Sequence, residues 1–188
     1  MALLTSSRSD RLATTISLVL LAVPAAAAQA PRSEYEVKAA YLLNFARYAE
    51  WPSAARADSS ADLVICVLGR DPFGAVLDRT VAGRRVLGRP VRVMRPGSRA
   101  EASLCQLAFI GGDPRAEIEP WLAELRGRPV LTVGDGPGFA DAGGTIAFVP
   151  VEQTVRFEVN RGALERSRVR LSSRVLALAT RVTEGRRR

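Results

Sequence analysis

The chain has 188 residues, 47% of them apolar and 24% charged, the proportions of one globular domain and not of a disordered, collagenous or polytopic membrane protein. It has no histidine and only two cysteines, which excludes Ser-His-Asp and Cys-His catalysis, a histidine base, HExxH and Cys2His2 zinc sites and any four-thiolate site. The net charge of +8 comes from 26 Arg and a single Lys, Lys38; arginines scattered along the chain with almost no lysine read as coding bias, because phosphate binders use both cations, and no nucleic-acid partner is expected.

The first residues read as an address. Arg8 and Arg11 precede an apolar stretch from Leu12 to Val23, then Pro24 and a run of alanines. This is the charged, apolar and small-residue sequence of a secretory signal. Ala26-Ala27-Ala28 places the cut before Gln29, giving a signal over 1–28 and a mature domain over 29–188. About 12 apolar residues are too few to cross a ~30 Å hydrocarbon core, so no membrane insertion is expected after cleavage. The expected location is the periplasm, and the mature charge becomes +7, 25 cations against 18 anions.

In the mature chain, Ser33-Glu34-Tyr35-Glu36 is a capping box with Ser33 as N-cap. Val37, Tyr41, Phe45 and Tyr48 recur on one helical face, and Trp51-Pro52 ends that helix. Residues 53–61 form a polar connector. Leu63–Leu68 is a continuous apolar run, the pattern of a strand covered on both faces. Asp71 and Pro72 supply a cap and a first helical residue for a short helix to about Val81. Arg85–Leu87 and Val91–Met94 are strand-like around Gly88, and Leu104–Ile110 is a further strand. Asp113-Pro114 opens a helix to about Leu125, stopped by Gly127, and Val130–Val133 is another short strand.

The last third changes character. Thr145–Val149 is apolar, and Val155, Phe157 and Val159 alternate with Arg156, Glu158 and Asn160, giving one buried and one wet face. Asn160 caps a helix over 161–166. Val169 and Leu171 alternate with Arg168 and Arg170, and Ser172 caps a last helix carrying Val175, Leu176, Leu178, Ala179 and Val182. The order of elements predicts an α/β fold: a single compact domain with a mostly parallel mixed sheet flanked by helices.

Candidate chemistry is sparse. Gly134-Asp135-Gly136-Pro137-Gly138 follows a strand, but no helix is expected to open on its last glycine, so it reads as a glycine-rich surface loop and not as a dinucleotide site. Asp113, Asp135 and Asp141 read as cap and turn residues. No nucleophile, base and orienting group assemble, so neither an enzyme nor a cofactor is expected. In an oxidising compartment Cys66 and Cys105 can pair, closing a loop that would contribute roughly 4 kcal/mol; two buried free thiols are the alternative.

Three stretches together resemble a known family: Tyr35–Phe45 running into Trp51-Pro52; Ile65–Gly69 with Asp71-Pro72-Phe73; and Val130–Asp135 continuing through Gly138-Phe139, Gly144, Ile146, Phe148 and Phe157–Asn160 to Leu171-Ser172-Ser173. Their order and spacing resemble the YfiR family of periplasmic proteins over residues 33–182. The resemblance implies a small α/β domain that often forms a homodimer. It implies a non-catalytic repressor that binds the periplasmic sensor region of an inner-membrane signalling protein, a diguanylate cyclase above all, and so restrains cyclic di-GMP output and biofilm formation. Cys66 and Cys105 match the position of one family disulfide; a second pair found in some relatives has no counterpart. A small-ligand-binding accessory of an outer-membrane transport or histidine-kinase system is the other role the family allows.

For the partner, the strand residues Arg156, Glu158 and Asn160 with Leu164 on the next helix form the candidate surface. A half-exposed strand beside a helix offers hydrogen bonds and an apolar anchor together. Leu164→Asp is then expected to relieve repression without unfolding the protein.

Overall fold

The computed structural model describes residues 33–52, 61–112, 115–136, 138–152 and 154–185. The expected signal over 1–28, most of the polar connector and the Asp113-Pro114 cap therefore lie outside the described residues.

Along the chain run α1 (Glu34–Arg47), β1 (Ala49–Glu50), β2 (Leu63–Gly69), α2 (Ala75–Val81), β3 (Arg85–Val86) and β4 (Arg89–Met94). A 3-10 turn at Ala100–Leu104 leads to β5 (Leu107–Gly111), α3 (Arg115–Leu125), β6 (Leu131–Asp135) and α4 (Gly138–Asp141). Then come β7 (Ile146–Val151), β8 (Thr154–Asn160), α5 (Arg161–Ser167), β9 (Arg170–Leu171), α6 (Ser173–Leu178) and β10 (Arg181–Thr183). The main sheet has eight strands in the order β10-β8-β7-β6-β5-β2-β4-β3, and β1 pairs with β9 separately. Strands β4, β2, β5, β6 and β7 are mutually parallel; β3 runs antiparallel to β4, and β8 runs antiparallel to β7 but parallel to the edge strand β10. This is the mostly parallel mixed sheet that the sequence predicts.

Strand alternation divides the core in two. Leu63, Ile65, Val67, Phe109, Val133 and Phe148 face α1, α2 and the C-terminal helices. Val64, Cys66, Leu68, Ala108, Ile110 and Ala147 face α3 and α4. Continuous apolar runs are needed here because both faces are roofed. On the second face a disulfide joins Cys66 in β2 to Cys105, just before the neighbouring β5, with Cα atoms 5.7 Å apart.

Several local expectations shift. The capping box is present: Ser33 Oγ accepts from Glu36 N–H, and Glu36 Oε2 accepts from Ser33 N–H. The helix it opens buries Phe45 of the expected face together with Ala39, Leu42, Leu43 and Ala46, while Tyr48 at the end of that face is 38% exposed. Small alanines let α1 sit close to the sheet, and the aromatic residues flank the contact. Asp71 does not cap the helix directly. Its Oδ1 accepts from Phe73 and Gly74 N–H in a turn held by Arg95, and α2 begins only at Ala75. The expected last helix stops at Leu178, and Ser172 makes no side-chain cap. Beyond it Thr180 N–H and Oγ1 both donate to Phe157 O, turning Arg181–Thr183 into the edge strand β10 beside β8.

Candidate functional site

The capping box fixes the first turn of α1 and so aims Glu34, Tyr35 and Lys38. Glu34 and Lys38, four residues apart, share one face, and Lys38 Nζ lies 2.5 Å from Glu34 Oε1. The same ammonium reaches Asp135, the last residue of β6, at 2.8 Å from Oδ1. That oxygen is buried and has no directed hydrogen bond, so it is compensated by charge contact alone. Tyr35 hydroxyl donates to Asp135 Oδ2 at 3.4 Å. The ammonium also stands 4.7 Å from the centre of the Tyr35 ring and 5.7 Å from that of Phe148. The single lysine of the chain is thus 5% exposed and surrounded by acids and π-faces.

Burial alone would pull the Lys38 ammonium down, but its contacts with Asp135 and Glu34 outweigh this and hold it above the ordinary lysine value. Burial, then the Asp135 charge, push the Tyr35 phenol up. A lysine held protonated cannot serve as a nucleophile or base near neutral pH, and a phenol pushed up gives its proton less readily. The contacts of Lys38 and Tyr35 with Asp135 tie α1 to the end of β6.

Two clefts share Tyr35, Asp135 and Gly136 as walls. One, of about 490 Å³, lies at the carboxyl ends of β2, β5 and β6. The other, of about 750 Å³, is a groove between α1 and the β7–β8 hairpin, lined by Val37 and Tyr41 on one side and Val149, Pro150, Val155 and Arg156 on the other.

The four residues read as a partner surface separate on inspection. Arg156 is exposed at the rim of the larger groove, and no described residue pairs with its guanidinium. Glu158 points the same way, but Arg181 Nη2 of β10 lies 2.5 Å from its Oε2. Asn160 is not on a wet face: it is 3% exposed, its Oδ1 caps α5 through Ala163 N–H, and its Nδ2 donates to Ala140 O. The far end of β8 is roofed by α4, which no periodicity within β8 could reveal. Leu164 packs into the first core beside Val169 and Val175. It offers no exposed anchor, and Leu164→Asp would bury a charge and unfold the domain.

The glycine-rich segment also differs from expectation. A short helix, α4, opens at Gly138, and Phe139 fills the space that side chains at Gly134 and Gly144 would need, with Cβ atoms there falling 2.3 and 2.0 Å from its ring. Asp135 is an ion-pair partner and not a turn residue. The sequence did carry one signal for it: a single lysine among 27 cations, placed in the apolar half of a helix.

Among the described residues no group of three or more His, Cys, Asp or Glu side chains could hold a metal, and no helix is long and apolar enough to cross a membrane. A family model described as YfiR/HmsC-like matches residues 35–180. Among solved structures, the chain is similar to one described as the ABC domain in complex with L-Trp from Streptococcus pneumonia, at 10% identity and a TM-score of 0.46. That match covers 64% of this chain and 55% of the other.

Proposed function

The chain belongs to the YfiR/HmsC-like family, a periplasmic and regulatory family tied to cyclic di-GMP signalling, and from that premise we propose that it represses an inner-membrane signalling protein by binding its periplasmic sensor region. The leading partner is a diguanylate cyclase. Residues 1–28 act as the secretory signal and 29–188 as the mature domain. Such a repressor shifts its partner between two states only by as much as its affinity for them differs. Repression of this kind proceeds by stoichiometric binding and requires no chemical step.

The observation that carries the reading is the groove between α1 and the β7–β8 hairpin. It joins an apolar floor to Arg156, which no described residue pairs with, so a partner segment with an apolar anchor and an acidic residue meets both needs. Glu158 supports this surface through its pair with Arg181, while Asn160 and Leu164 hold β8 and α5 in place behind it. Co-purification of the tagged protein with inner-membrane proteins tests the reading. Arg156→Glu and Val37→Glu are expected to lose the partner while keeping the wild-type melting temperature. Undiminished recovery of the partner with both variants would overturn it.

A second reading keeps the export signal but makes the protein a small-ligand-binding accessory of a transport or histidine-kinase system. The cleft at the strand ends favours it, because open α/β sheets hold ligands at that edge.

A further inference from the structure

After β2 the chain passes through α2 to β4 on one side of β2, then returns to β5 on its other side and continues outward to β6 and β7. The β2–β5 boundary is where the direction of winding reverses, and a parallel sheet opens a crevice beyond its carboxyl ends at that place. Backbone contacts tighten this crevice. Arg70 N–H donates to Gly111 O at 3.1 Å, and Cβ atoms added at Gly111 and Gly69 would come within 2.0 Å of Arg70 O and 2.3 Å of Gly111 O. Only glycine lets the two strand ends close in this way, and their closure sets Arg70 at the mouth of the cleft of about 490 Å³.

Its walls divide by chemistry. Pro72, Ile118, Phe139 and Ala142 supply apolar surface, while Gly136 and Gly138 have open space where a side chain would stand. Among the polar groups, Asp135 is already engaged by Lys38 and Tyr35. Arg70 is exposed at the cleft, and no described residue pairs with its guanidinium. From these observations we infer that the cleft is a binding site for a small organic carboxylate with an apolar body. Arg70 receives the carboxylate in bidentate fashion, and the body lies against Ile118, Phe139 and Pro72 over the bare glycine floor. A monoanion fits better than a phosphate dianion, since the Asp135 carboxylate shares the cleft wall with Arg70 and the Glu117 carboxylate stands beside Gly112. The site is independent of any protein partner, and its test needs the purified domain alone.

Phenylacetate is the probe, titrated by heteronuclear NMR. The expected result is saturable binding, with a Kd of about 1 mM for so small a ligand, and shifts at Arg70, Gly112, Gly136 and Phe139. Arg70→Gln is expected to weaken binding at least about tenfold, the loss of one charge-assisted pair. Gly138→Leu, which fills open space at an ordinary backbone angle, is expected to abolish binding without lowering the melting temperature. Absence of saturation, shifts confined to other surfaces, or binding unchanged by both variants would overturn the site. Equal binding of phenethyl alcohol, or competition by inorganic phosphate at matching affinity, would overturn the carboxylate assignment.

Discussion

Lys38 shows how one side chain can be held in place by charge in a place where charge is costly. Its partners Glu34 and Asp135 are 61% and 33% exposed at the side chain, so the pair is shielded on one side only. Lys38→Met would leave Asp135 Oδ1 buried without a cation, and a loss of about 2 kcal/mol is expected by urea unfolding, below the full cost of orphaning a wholly buried charge. A Lys38→Met, Asp135→Leu double variant should recover most of that loss; a purely additive loss would show that the pair is not coupled. Both Lys38 and Tyr35 titrate above their ordinary values in the folded chain. The folded state therefore binds more protons than the unfolded state once pH passes about 10, and stability falls as pH rises from there. Lys38→Met with Tyr35→Phe should flatten this alkaline decline, measured as melting temperature against pH. Leu87 marks a different kind of strain: it is 59% exposed at φ 51° in the turn between β3 and β4, followed by Gly88 at φ 78°. Leu87→Asn is expected to stabilise by about 1 kcal/mol, because asparagine tolerates that backbone region and no packing is lost.

At the scale of elements, Phe139 between Gly134 and Gly144 ties α4 to the sheet. Gly144→Ala should cost about 2–3 kcal/mol through overpacking, and Phe139→Leu should suppress part of the loss, both read by denaturant midpoint. The central strands were legible in the sequence because each of their apolar runs must bury two faces, and Ser33 with Glu36 and Asn160 announced their caps through residue type and spacing. What escaped were contacts between distant segments. The turn of α1 about its axis depends on which residues can approach β5 and β8, and it favoured Ala39 and Leu42 over Tyr48. Ala179 and Val182 continue an apolar phase that suits a helix; the exposed edge of β8 instead made Arg181–Thr183 a strand. The same limit applied to the site. Asn160 looked wet from within β8, while α4 across the sheet covered it, and Asp135 looked like a turn residue until α1 delivered Lys38 to it.

In the whole molecule, the buried centre of the sheet and the clefts at its edge serve different ends. Cys66 in the central strand β2 is bridged to Cys105 just before its neighbour β5, both buried, with a sequence separation of 39. Replacing both with alanine should lower stability by about 4 kcal/mol on the chain-entropy argument, and the native bond should resist reductant until the domain unfolds. Rapid reduction at unchanged fold would show the bond to be accessible. Around that centre, the helix α1 and the β7–β8 hairpin frame the groove, and the cleft beside it shares Tyr35, Asp135 and Gly136. If the proposed repression holds, the output of this groove is read in the partner's product. The most direct measurement is cellular cyclic di-GMP after deletion of this gene and complementation. Deletion is expected to raise it, wild type to restore it, and Arg156→Glu to leave it high while reaching the periplasm in equal amount. Cyclic di-GMP unchanged by deletion, or restored fully by Arg156→Glu, would contradict repression through this groove.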